Sequence, residues 1–148
     1  MRLLLQRVTR AEVRVEDRLV AAIGLGLMVL VGVGSDDTPP LADRLAARVA
    51  DLRIFRDEAG KTNRSLLEVG GSALAVSQFT LHADTRRGRR PSFTAAGDAV
   101  LAREIYEIFC TALQDRGVAV GRGVFGAEMQ VELVNDGPMT IWLDSEAQ

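Results

Sequence analysis

The segment Leu27-Met28-Val29-Leu30-Val31-Gly32-Val33 carries no charge and no polar side chain. Its β-branched valines favour extended backbone, and a strand this uniformly apolar has to be covered on both faces. It therefore belongs in the interior of a sheet, and the rest of the chain must supply a layer on each side of it. Gly24 and Gly26 interrupt the wider apolar window that opens at Leu19, so the stretch is too short and too broken to cross a membrane as a helix.

The flanking segments supply those layers. Leu3 to Val8 and Ala11 to Val15 read as strands, with Val13 and Val15 alternating against Glu12, Arg14 and Glu16 in the half-buried pattern. Glu16-Asp17-Arg18 is a polar turn, and Leu19 to Ile23 resumes the strand. Asp36-Asp37-Thr38-Pro39-Pro40 starts a helix, with Thr38 or Asp37 able to cap and proline suited to the first turn. Leu41, Leu45, Val49 and Leu52 form its apolar stripe. Arg53-Ile54-Phe55 is a short strand, and a longer one is expected from Ser72 to Leu81. Asp98 opens a second helix with an apolar stripe from Leu101 to Leu113, and Gly117 stops it. Val118 to Val120, Met129 to Val134 and Met139 to Leu143 are further strands, the last two joined as a hairpin through Asn135-Asp136-Gly137-Pro138. Strands arrive in runs rather than in strict alternation with helices. The expected class is α+β, a mixed or antiparallel sheet with two main helices, in one domain spanning 1–148.

Composition narrows the chemistry. With 148 residues, 47% of them hydrophobic, the chain can bury a core without covalent staples. One cysteine excludes an internal disulfide and an all-cysteine metal cluster, and one histidine excludes a multi-histidine site. No metal and no cofactor are expected. Cys110 lies in a helical apolar pattern and reads as a buried small hydrophobe. His82 reads as a surface residue at a strand end, and no Gly-x-Ser-x-Gly elbow accompanies it. Gly32-Val33-Gly34 lacks the third glycine of a dinucleotide loop and any Gly-Lys-Ser/Thr, so it is a strand-to-helix turn. A net charge of −2 excludes a uniformly basic surface but not a local one. Arg86, Arg87, Arg89 and Arg90 surround Gly88 in one loop, where guanidinium forks match phosphate oxygens; a solvated loop is the plainer reading. The N-terminal run is too short for a secretion signal, and the expected location is the cytoplasm.

Two segments stand out chemically. Ser77-Gln78-Phe79-Thr80-Leu81 places three polar side chains at the end of a strand that is apolar through Leu74, Ala75 and Val76, where a ligand could meet them. In Asn135-Asp136-Gly137-Pro138, the proline removes a donor where a ladder should restart. A cis Gly-Pro bond there would rotate two neighbouring backbone carbonyls relative to the trans form.

Together with Leu5-Gln6-Arg7-Val8, Arg90-Pro91-Ser92-Phe93, the stretch from Phe125 to Val131, and Trp142, these two segments resemble the motif pair of the bacterial-type D-aminoacyl-tRNA deacylase family. The resemblance runs from residue 3 to about 143. It implies a barrel-like, homodimeric protein that cleaves the ester between a D-amino acid, or mischarged glycine, and the terminal adenosine of tRNA. It implies no membrane or DNA partner. Ser77, Gln78, Phe79 and Thr80 would correspond to the strand lining the pocket, and Phe125, Ala127, Met129 and Asn135 would also meet the substrate. Gly137 and Pro138 would correspond to a motif inserted from the other subunit as a stiff main-chain wall against L side chains. Backbone N–H groups around Phe79 and Thr80 would stabilise the oxyanion, assisted by water or the ribose 2′-hydroxyl, with Thr80 as nucleophile the alternative. A non-catalytic RNA-binding dimer is the rival from another class.

Overall fold

A computed structural model describes residues 1–147. The apolar segment forms β3 (Gly26–Gly32), whose neighbours are β1 (Arg2–Val15) and β6 (Ser72–Ser77). Its side chains alternate between two cores. Leu27, Val29 and Val31 face one that includes the helices, whereas Met28 and Leu30 face a second built from Val8, Ala11, Val13, Leu74 and Val76. This is the two-sided burial that the sequence demands of such a strand.

The sheet runs β2 (Arg18–Ile23), β1, β3, β6, β7 (Ala119–Arg122), and β8 (Gln130–Asp144) pairs with the other side of β1. β1 is antiparallel to β2, β3 and β8, while β3, β6 and β7 are mutually parallel. The fold is thus mixed α+β with a nearly closed, barrel-like sheet. The parallel pairs are linked through α1 (Pro39–Asp51) and α2 (Ala99–Asp115), which pack on each other and on the same face of the sheet. β4 (Phe55–Arg56) and β5 (Thr62–Arg64) form a separate ribbon.

Local chemistry explains the helix ends. Asp98 Oδ1 accepts from the backbone N–H of Val100 at 2.9 Å and of Leu101 at 3.0 Å, a capped N-terminus for α2. At α1, Thr38 holds the cap position without a side-chain bond. Asp37 is drawn elsewhere: its carboxylate accepts from the Met1 ammonium at 2.5 Å and from Gly34 N–H at 2.6 Å. Tyr106 donates its hydroxyl to the Ala75 carbonyl at 2.9 Å, tying α2 to β6.

Three expectations are corrected. The two N-terminal strands are one strand, β1, kept continuous by register shifts near Arg7. The strand beginning at Ser72 ends at Ser77, and residues Phe79–His82 form a short 3-10 turn, η1. The expected hairpin at 135–138 does not form, because both flanking segments pair antiparallel with the same strand β1 and remain one strand, β8. Between Gln6 and Val8 on β1, β8 advances from Thr140 to Asn135, so the intervening residues bulge out of the ladder.

Candidate functional site

β6 stops at Ser77 because the chain turns across the end of β3. Gln78 N–H still donates to the Val31 carbonyl at 2.7 Å, and η1 then folds back over Gly32. A Cβ on Gly32 would lie 2.9 Å from Leu81 Cβ and 3.1 Å from the Gln78 carbonyl oxygen, so glycine makes room for this turn. Arg2 secures the far end of η1 by donating to the Leu81 carbonyl at 3.1 Å. The first N–H groups of η1, those of Phe79 and Thr80, precede its first internal bond, Leu81 N–H to Gln78 O, and have no partner within the turn.

The turn closes one end of a cavity of about 580 Å³. Ser77, Gln78 and Phe79 line it from one side, Phe125, Ala127 and Met129 from another. Ser77, Gln78 and Phe79 belong to the segment that the sequence singled out, and Phe125, Ala127 and Met129 were expected from the family resemblance. Phe93, from the arginine-rich loop segment, and Ala99 and Ala102, from the first turn of α2, complete much of the wall. Phe79 and Phe93 meet edge to face at 5.0 Å. Phe125 tilts against Tyr106 at 6.2 Å, and the Arg103 guanidinium lies 5.1 Å above its ring. No titratable side chain lines this cavity among the described residues.

Thr80 does not line the cavity; it is exposed, and its Oγ1 accepts a hydrogen bond from the Gln78 side-chain amide. An amide is not a base, so this contact does not activate the hydroxyl. His82 is buried rather than at the surface, packed near Gly32 and Gly34, with its Nε2 unpartnered. The sequence placed it at the surface because it was expected just past a strand running to Leu81, whereas the strand ends at Ser77 and η1 folds His82 back against Gly32. Cys110 is fully buried, and burial pushes its thiol up to about 11, leaving it protonated and unreactive. Among the described residues, no three His, Cys, Asp or Glu side chains gather as metal ligands. Among the described residues, no helix is long and apolar enough to cross a membrane.

Asn135, Gly137 and Pro138 lie apart from the cavity of their own chain. The Gly137-Pro138 bond is cis, and both residues are exposed at the tip of the β8 bulge. The base of the bulge is fixed from β1. Arg7, 2% exposed, pairs with the Asp136 carboxylate at 2.8 Å and donates to the Asp136 carbonyl at 3.1 Å and to the Ile54 carbonyl. Asn135 Nδ2 donates to the Arg7 carbonyl at 2.8 Å and the Met139 carbonyl at 3.1 Å. Arg7 was absent from the expected site. Its signal was an arginine at the next inward position after Leu3 and Leu5.

In the arginine loop, Arg86 is held by Asp84 through two bonds of 2.9 and 2.7 Å. That contact keeps the Asp84 carboxyl far below the usual carboxylate range. Arg87, Arg89 and Arg90 are exposed and make no ion pair among the described residues.

With this geometry in view, the sequence pattern of the D-Tyr-tRNA(Tyr) deacylases matches residues 4–144. The chain belongs to that family. Membership places it among enzymes that hydrolyse aminoacyl-tRNA. A D-aminoacyl-tRNA deacylase of Thermomicrobium roseum is 60% identical over 145 residues, covering 98% of this chain and 94% of that one. One from Deinococcus radiodurans is 54% identical over 144 residues, covering 97% and 99%. Among solved structures, one described as a c-Myc DNA unwinding element binding protein superposes with a TM-score of 0.92 at 38% identity, covering 98% of this chain and 99% of that one. A probable eukaryotic D-amino acid tRNA deacylase shares the fold, with a TM-score of 0.86 at 21% identity over 96% and 97% of the two chains.

Proposed function

We propose that this protein hydrolyses the ester joining a D-amino acid, or glycine, to the terminal adenosine of tRNA, in the cytoplasm and as a homodimer. The observation that carries the reading is the uncharged cavity lined by Phe79, the residue that opens η1, whose first N–H groups have no partner within the turn. An ester carbonyl seated there would develop its negative charge toward those donors, a contribution of roughly 3 kcal/mol to the barrier. Water adds to the carbonyl carbon, the acyl C–O bond breaks, and the ribose hydroxyl leaves carrying the proton. With no titratable lining group, the substrate's neighbouring 2′-hydroxyl or solvent handles that proton.

Enantiomers share every functional group, so discrimination needs a fixed wall. The anchored tip at Gly137-Pro138 is such a wall, yet it lies outside its own cavity and is exposed, which suits donation to a partner's cavity. β8 pairs on one side only and exposes Val131, Val134 and Trp142, surface that a second copy would cover. Glycine has no side chain to meet the wall and passes it. Arg87, Arg89 and Arg90 are the proposed phosphate contacts for the tRNA body.

The test is hydrolysis of matched D-tyrosyl-, L-tyrosyl- and glycyl-tRNA by purified protein. The reading expects release from the D-tyrosyl and glycyl esters with the L ester at its spontaneous rate. RNA binding without ester cleavage would replace it with the non-catalytic dimer.

A further inference from the structure

We propose that Arg103 takes the phosphate of the terminal nucleotide of the substrate, so that the enzyme recognises a nucleotide rather than a nucleoside at the mouth of its cavity. Arg103 stands on α2 one turn after Ala99 and next to Ala102, and both alanines line the cavity. Its guanidinium lies over Phe125, a third lining residue, with the guanidinium carbon 5.1 Å from the ring centre. The side chain is exposed and makes no ion pair or hydrogen bond among the described residues.

That freedom has a cause. Glu107, four residues on along the same helix face, would be the usual partner. It is engaged instead by Arg122, which also bonds Gln114 at 2.6 Å. The cation–π contact with the Phe125 ring holds the guanidinium beside the cavity wall while leaving its N–H donors unused. The result is an unpaired cation held over one wall residue of a cavity that has no charge of its own. The ligand matching this arrangement is an apolar ring-bearing group inside with one anionic oxygen group just outside, which describes an adenosine esterified on its ribose and phosphorylated at its 5′ position. The inference rests on the proposed reading of the cavity as the aminoacyl-adenosine site.

The experiment compares two small esters, D-tyrosine on the ribose 3′-hydroxyl of adenosine 5′-monophosphate and the same ester of adenosine. The proposal expects the wild-type protein to prefer the phosphorylated ester by about tenfold in kcat/KM, expressed through KM, as one charge-assisted contact would give. In R103Q the preference falls to unity. R103K retains part of it, because a point charge survives although the guanidinium fork does not. R103Q with the wild-type preference, or a wild-type protein with none, overturns the proposal. Cleavage of neither ester by the wild-type protein overturns the cavity assignment itself, and this role with it.

Discussion

Arg7 occupies the place where the alternation of β1 calls for a third inward apolar residue after Leu3 and Leu5. Burying a guanidinium there is tolerable only because Asp136 and the Ile54 carbonyl meet it. Arg7→Met leaves those acceptors unpaired and frees the bulge. The expected outcome is a loss of about 3 kcal/mol in urea unfolding, accompanied by a fall in the ratio of D- to L-tyrosyl-tRNA turnover. A variant as stable and as selective as wild type would show that the anchor is dispensable. Thr80 is the contrasting residue. If backbone donors carry the chemistry, Thr80→Ala stays within about tenfold of the wild-type kcat, well short of the loss seen when a true nucleophile is removed. A fall to the spontaneous rate with an unchanged unfolding midpoint would make Thr80 the nucleophile.

At the scale of elements, the bulge in β8 carries the account. A Cβ on Gly137 would sit 1.9 Å from the Met139 backbone nitrogen, so Gly137→Ala must displace the tip. The tip is exposed and outside both cores, so stability should change by less than about 1 kcal/mol. The ratio of D- to L-tyrosyl-tRNA turnover should drop by about tenfold or more, equivalent to at least ~1.4 kcal/mol of discrimination. An unchanged ratio would mean that handedness is read elsewhere. This element also shows what a sequence can disclose. Asn-Asp-Gly followed by Pro marks a break in the strand, and that was legible. Whether the break reverses the chain or bulges out depends on pairing with β1, more than 120 residues away, and local turn chemistry is the same for both. The central strand β3 was readable because two-sided burial leaves a continuous apolar run. The end of β6 was not, because the space that admits η1 is supplied by Gly32 on another strand.

At the scale of the whole molecule, a net charge of −2 leaves tRNA attraction to local patches. Replacing Arg87, Arg89 and Arg90 with Gln should flatten the dependence of log affinity on log salt by about 2 in a tRNA-binding titration. Arg86 is the internal control. The pair with Asp84 depresses that carboxyl, so the pair is present above the ordinary carboxylate range and is lost only in strong acid. At neutral pH Arg86 is already neutralised, and its replacement should change the slope less than any of the other three. Equal slopes for all variants would remove the loop from the binding surface. The larger question is whether one protomer's main chain judges the amino acid held by the other. Mixing two defective forms answers it directly: Gly137→Ala, whose displaced tip no longer separates the D from the L ester, and Ala127→Trp, whose filled cavity turns over neither. After subunit exchange, heterodimers would hold one intact composite site each, and the mixture should regain about a quarter of wild-type D-selective turnover. No recovery despite demonstrated exchange would contradict a wall supplied across the dimer.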